Sequence, residues 1–216
     1  MHGECLKLTL SKFLSFGIIA GSLVYKLPQI LKISSDKSAG GISLAAVLLE
    51  ILSCTFSLAY SFNSGFAFMT YGEAAFVALF DLVIIYQILT YEKGDVGVGA
   101  VGGLLVFLAS LYLMLAGFVP YHILKLLQGC VTPLIIISRT PQIWSNITTK
   151  STGQLSIITW GLNCGGSLAR VFTTLAEVND PLVLTGFVVA ATLNTTITLQ
   201  ILWYGNASKE AKKKKQ

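Results

Sequence analysis

Charge is what this chain has least of. Only 12% of its 216 residues are Asp, Glu, Lys or Arg and 54% are hydrophobic, whereas a soluble domain carries about 25% charged residues. With a mean hydropathy of +0.73, that scarcity excludes a soluble globular domain and predicts an integral membrane protein. Cysteine is scarce as well. Cys5, Cys54, Cys130 and Cys164 are scattered without CxxC spacing, which argues against a disulfide framework or a metal site and predicts small packing residues. Basic runs interleaved with aromatics are missing, so nucleic acid is not an expected partner. There is no Walker loop, HExxH or nucleophile elbow, so the chain is read as a non-enzyme without a cofactor.

What the chain has in abundance is long apolar runs. A helix needs roughly 20 residues to cross about 30 Å of hydrocarbon, and such runs lie at about 10–33, 42–62, 68–90, 96–118, 121–147, 155–176 and 181–204. They are continuous rather than alternating, which excludes a membrane barrel. Seven spans set the termini on opposite sides. Lys209 and Lys212 through Lys215 follow the last span, and such clusters stay cytosolic. The C-terminus is therefore expected in the cytosol and the N-terminus in the lumen. Lys32, Lys37, Lys93 and Lys150 then also fall in cytosolic connections, while the connections near 63–67, 118–121 and 177–180 carry no Lys or Arg. Lys7 and Lys12 disagree and are outvoted. The first span has the charge pattern of a signal peptide, but it runs into a motif repeated later and is read as retained. The lysine tail suits anionic headgroups, and its last residues, Lys213-Lys214-Lys215-Gln216, fit a dilysine address for the endoplasmic reticulum. Sequons at Asn146, Asn194 and Asn206 are expected to stay unmodified in this topology.

The chain is also a duplication. KLPQILKISSDKSAGGIS, from Lys26, and RTPQIWSNITTKSTGQLS, from Arg139, align without a gap at an offset of 113 residues. At that offset Pro28-Gln29 meets Pro141-Gln142, Asp81 meets Asn194, Ile84 meets Ile197 and Gln87 meets Gln200. The expected fold is an all-α membrane protein of seven transmembrane helices in a 3+1+3 plan. Residues 1–93 form one three-helix bundle, 94–119 a linker helix, 120–205 a second bundle and 206–216 a basic tail. Because each unit holds an odd number of spans, the fourth span is needed to return the chain so that both units enter with the same orientation, which makes the repeats parallel. The linker opens Val96-Gly97-Val98-Gly99-Ala100-Val101-Gly102-Gly103, a surface of small residues that lets helices approach closely. Pro28 and Pro141 each remove a backbone donor and free a carbonyl one turn back, near residue 24 or 137. Pro28, Gln29, Pro141 and Gln142 are thus candidate hinges, the glutamines capping freed groups or facing a cavity.

Ionisable groups inside a bilayer are costly and mark pathways or partners. At 1.5 Å per residue from the cytosolic end, Lys26 lies at roughly 10 Å, Arg139 and Glu50 at roughly 12 Å and Asp81 at roughly 13 Å. These form one expected layer, joined by Asn163 and Asn194 at the second-repeat positions of Glu50 and Asp81. A second layer, roughly 8 Å from the luminal end, holds Glu73 and Arg170, with Lys125 and His122 at or above that depth. The layers are either ion pairs that hold the bundle or two stations for one anionic ligand. Trp144, Trp160, Trp203, Tyr204 and Tyr91 are assigned mostly to interfacial belts.

The doubled Pro-Gln motif on a 3+1+3 plan resembles the PQ-loop family, which shares its plan with SWEET-like proteins. Within it the chain is similar to the mannose-P-dolichol utilization defect group. The matching residues are Lys26-Leu27-Pro28-Gln29, Gly72-Glu73-Ala74, Pro141-Gln142, Ser151-Thr152-Gly153-Gln154-Leu155-Ser156, Gly165-Gly166-Ser167-Leu168-Ala169-Arg170 and Asp180-Pro181. The resemblance implies residence in the endoplasmic reticulum and a role in luminal use of dolichyl-phosphate mannose and dolichyl-phosphate glucose, which feed N-glycosylation, GPI anchors and mannosylation. The expectation is a passive flippase. Lys26 and Arg139 would attract the phosphate on one side, Arg170 with Lys125 would receive it on the other, and Glu50, Asp81, Asn163 and Asn194 would bind sugar hydroxyls. Two alternatives stand beside it. One is a non-transporting chaperone that presents the lipid to luminal glycosyltransferases; the other is a transporter of a small soluble solute, proton-coupled through Glu50 or Asp81.

Overall fold

A computed structural model describes residues 2–40, 42–92, 97–152 and 155–213; side chains of residues 2–4, 25 and 205–213 are not characterised. Lys93, Val96, the Gly153-Gln154 part of the second motif and the tail from residue 214 lie outside the described residues. Seven helices follow in order: α1 (His2–Asp36), α2 (Leu44–Asn63), α3 (Phe68–Glu92), α4 (Val98–Leu115), α5 (Tyr121–Thr149), α6 (Ile157–Glu177) and α7 (Pro181–Lys213). Their ends are chemically marked, and the marks repeat. Ser43 caps α2 by accepting from the Ala46 amide, and Ser156, its partner at the repeat offset, caps α6 by accepting from the Thr159 amide. Asp180 Oδ1 accepts from the Leu182 and Val183 amides at 2.8 and 3.1 Å, while Pro181 fills the first position of α7, where no amide donor is needed. Just past α1 and α5, Lys37 and Lys150 turn the chain with φ of 48° and 47°. Left-handed backbone costs an L-residue about 1–2 kcal/mol, so both repeats carry the same strained turn.

Six of the helices are long and apolar enough to cross a membrane, namely all except α6. The chain is a multi-pass, all-helical membrane protein. The sequence predicted seven such spans. The exception is explained by Thr159, Asn163, Ser167, Arg170, Thr173 and Thr174, which make α6 strongly amphipathic rather than uniformly apolar. Pro28 lies inside α1 and both Pro133 and Pro141 inside α5, so these helices continue through their prolines.

The chain divides into two compact units, residues 12–131 and residues 132–216 with 1–11. In the first, α2 packs along α3 around Ile33, Ala39, Val47, Ile84 and Ile88, with Ile30 and Ile42 against them. In the second, α6 packs along α7 around Trp160, Ile197 and Ile201, with Ile143 and Leu155 against them. Val47, Ile84, Ile88, Ile30 and Ile42 meet Trp160, Ile197, Ile201, Ile143 and Leu155 at the same 113-residue offset. One core has been built twice, and Ile84 and Ile197 are both fully buried. Gly72 lets α3 approach α1, because a Cβ there would come within 3.1 Å of Ile19 Cδ1.

Helix α4 behaves differently. It has no buried residue, as expected of a span that is apolar all round and faces lipid. A Cβ on Gly99, Gly102 or Gly103 would meet nothing within 4 Å, so no close approach to this glycine surface is made among the described residues. Its tie to α2 is made at one end, where Asn63 Nδ2 donates to the Met114 carbonyl at 2.9 Å.

Candidate functional site

In the first unit three charged side chains meet. Helix α1 buries Ser15, Ile19, Ser22, Lys26 and Ile33, a stripe at helical spacing that is mostly polar. Lys26 Nζ donates to Asp81 Oδ1 on α3 at 2.7 Å and to Glu50 Oε2 on α2 at 2.8 Å. The ammonium and Asp81 are 4% and 0% exposed in their side chains, whereas Glu50 is 43% exposed. The triad therefore runs from an accessible carboxylate through a sequestered ammonium to a sequestered carboxylate. With all three ionised it carries one excess negative charge. Asp81 Oδ2 has no hydrogen-bond partner among the described residues, which leaves one more oxygen for a proton or donor. Removing one partner from a buried pair typically costs about 3–5 kcal/mol, because the other charge is stranded.

At the matching positions the second unit is built otherwise. Arg139 replaces Lys26, while Asn163 and Asn194 replace Glu50 and Asp81. Among the described residues no carboxylate lies within ion-pairing distance of Arg139. Its guanidinium instead sits over the Trp160 ring, 4.9 Å from the centroid, an attraction of about 0.5–2 kcal/mol. This corrects the assignment of Trp160 to an interfacial belt: it is 9% exposed, and its carbonyl accepts from Thr198 Oγ1 at 3.1 Å. Trp144 and Trp203, at 67% and 77% exposed, do face outward. Asn194 Nδ2 donates to the Asn163 carbonyl and to Ser167 Oγ, both at 3.3 Å. Its Oδ1 is buried without a hydrogen-bond partner among the described residues.

The proline-glutamine turns are held by glutamines from the third helix of each repeat. Gln87 Nε2 donates to the Ile30 carbonyl at 3.1 Å and to Ser34 Oγ at 2.8 Å. Gln200 Nε2 donates to the equivalent Ile143 carbonyl at 3.2 Å. Gln200 Oε1 also accepts from Asn146 Nδ2 at 2.8 Å, and Asn146 Oδ1 accepts from Gln142 Nε2 at 2.9 Å. Gln142 thus extends an amide chain rather than capping a carbonyl freed by Pro141. Gln29 is half-buried, and Pro28 and Pro141 are exposed. Asn146, a sequon residue, is 1% exposed inside this network.

The residues of the predicted luminal layer fall in both units. Glu73 (half-buried), Lys125 and His122 (both exposed) belong to the first, and Arg170, 3% exposed, to the second. Sequence reasoning missed Glu92, whose Oε1 accepts from the Ala39 amide at 3.0 Å and Ser38 Oγ at 3.2 Å, fastening the loop after α1 to the end of α3. Its repeat partner is Gly205, so no repeat signal marked it. The roles of Gln87 and Gln200 were available, since their identity survives duplication. Cys5 and Cys130 are exposed, not packed as expected, because each falls on the outward side of its helix. Cys164 Sγ lies 3.2 Å from Thr195 Oγ1.

Comparison with known proteins adds two findings. The family model described as PQ loop repeat matches residues 10–69 and 123–183, more than half of the chain and one stretch in each repeat. The human protein named Solute carrier family 66 member 3 is 28% identical over 201 residues, covering 93% of this chain and 96% of that protein.

Proposed function

The chain belongs to the PQ-loop repeat family, and on that premise we propose that it is a proton-coupled membrane carrier of a small soluble solute. The observation that carries this reading is the Lys26–Glu50–Asp81 triad. A single ammonium already holding two carboxylates is a poor receptor for a further anion, whereas the spare negative charge is balanced by one bound proton. Glu50, the accessible member, is where that proton enters. The name of the human relative, a solute carrier, supports transport as the class of activity. The work needs no bound cofactor and no covalent catalysis. In this reading the chain crosses the membrane seven times as two parallel three-helix bundles joined by α4. Its C-terminus is cytosolic and its N-terminus luminal, an orientation supported by Lys37 and Lys150, which follow α1 and α5 in the connections that a seven-span order assigns to the cytosol.

A second reading has its own support. A passive flippase for dolichyl-phosphate mannose and dolichyl-phosphate glucose in the endoplasmic reticulum, serving N-glycosylation, GPI anchors and mannosylation, rests on the GGSLAR and STGQLS motifs and the lysine tail. Arg139, which has no carboxylate partner among the described residues, favours it as a phosphate receptor. Lys26 does not share that role once it is paired twice.

The test is reconstitution into liposomes containing a pH-sensitive dye. Gradients of amino acids, organic acids and sugar phosphates are imposed in turn, and a dolichyl-phosphate mannose analogue is followed in parallel. Proton movement driven by one soluble solute and lost in Asp81→Asn is the expected outcome. Movement of the lipid analogue with no proton movement for any solute would transfer the conclusion to the flippase.

A further inference from the structure

Among the described residues the two repeats leave opposite charges unbalanced, negative at the triad and positive at Arg139. We propose that Arg139, seated on Trp160, docks an oxyanionic group of the transported molecule, and that Asn194 Oδ1 accepts a hydrogen bond from a hydroxyl or N–H of the same molecule. The inference rests on the carrier reading and names the substrate class: a small molecule with a phosphate or carboxylate and a neighbouring donor.

Three observations on the second unit support it. An aromatic face attracts a cation without supplying in-plane acceptors, so the guanidinium fork keeps its donors for a bidentate oxyanion. Arg139 is half-buried, shielded enough for a bound anion to be held strongly yet still reachable. Asn194 Oδ1, 113 residues on from the Asp81 carboxylate that holds Lys26, is a buried acceptor with no donor among the described residues. Such an atom is costly unless something pairs with it. Lys26 has no comparable opening, since both carboxylates already occupy it. Duplication has thus produced one position that binds its own counter-charges and one that waits for a counter-charge from outside.

The probes are inorganic phosphate and acetate, and the reporter is Trp160. Replacing Trp144 and Trp203, both exposed on the surface, with Phe leaves Trp160 as the last of the three tryptophans. In detergent, either probe should change its emission saturably. Arg139→Gln should abolish the change, and Arg139→Lys, which keeps the charge but loses the fork, should weaken apparent affinity about tenfold, with thermal melting checking that each variant folds. A parallel titration in phosphatidylcholine vesicles containing phosphatidic acid separates the sources: a weakened response to free phosphate identifies a lipid headgroup as the occupant, and an unchanged response identifies a soluble oxyanion. No saturable change with either probe, or the same change in Arg139→Gln, would overturn the proposal. Loss of proton movement in the carrier assay with the Trp160 titration intact would count against the coupling alone, so the two failures are distinguishable.

Discussion

The first and second repeats share five core positions yet differ at the three sites where the first holds charge. Ile84 and Ile197, Ile88 and Ile201, and Ile30 and Ile143 do the same packing in each half. Around that common frame, Lys26 faces two carboxylates while Arg139 faces a tryptophan. The lesson concerns where a duplicated membrane protein is free to change. Apolar contacts hold the second and third helices of each repeat together, so polar positions one turn away can diverge without loss of that packing.

The comparison breaks most visibly at the cations. Lys26→Ala strands two carboxylates, one of them fully buried, and is expected to lower stability by about 3–5 kcal/mol; Arg139→Ala removes a cation–π contact and should cost about 1 kcal/mol. Thermal unfolding of the two variants in the same detergent measures the difference, and equal losses would mean the second repeat conceals an ion pair. Next in size is the amide network. Gln200→Ala leaves buried Asn146 short of an acceptor and should cost about 1–3 kcal/mol, whereas Gln87→Ala, whose partners are a carbonyl and a hydroxyl, should cost about 1 kcal/mol. Glu50→Gln sharpens the comparison by function. It should leave stability nearly unchanged, because Glu50 is 43% exposed and accessible pairs contribute little, while solute-driven proton movement falls. The smallest effect belongs to Glu92→Ala, below about 1 kcal/mol, read as faster hydrogen exchange at the Ala39 amide with global melting unchanged.

Much of this architecture was legible in the sequence. Helix ends lie close to the predicted spans except at the start of α1 (His2 against about 10) and the end of α7 (Lys213 against about 204), and Ser43 and Ser156 mark their helices because capping is a local matter decided by a few adjacent residues. The meeting of Lys26 with Glu50 and Asp81 was foreshadowed by counting depth along the helices. Depth says nothing of azimuth, however, and that is why the contact of Arg139 with Trp160 was not foreseen and Trp160 was placed at the interface. Buried rings and belt rings look alike in one dimension. Glu92 escaped for another reason: its contacts run to a loop, and the second repeat has a glycine in its place. The shortfall at α6 came from treating an amphipathic stretch as a uniform apolar run; its polar stripe was present in the residues and was read only as isolated sites.

The central claim is that the first repeat carries the exchangeable proton and the second does not. Infrared difference spectroscopy of the purified protein across a pH series tests it without a known solute, because a protonated carboxyl has its own carbonyl stretch. The account predicts a carboxyl band that appears and disappears with pH, that Glu50→Gln or Asp81→Asn removes or displaces, and that Arg139→Gln leaves intact. A carboxyl band in the Glu50→Gln, Asp81→Asn double variant that is undiminished relative to the native protein, the other carboxyl groups giving the same background in both, would contradict it.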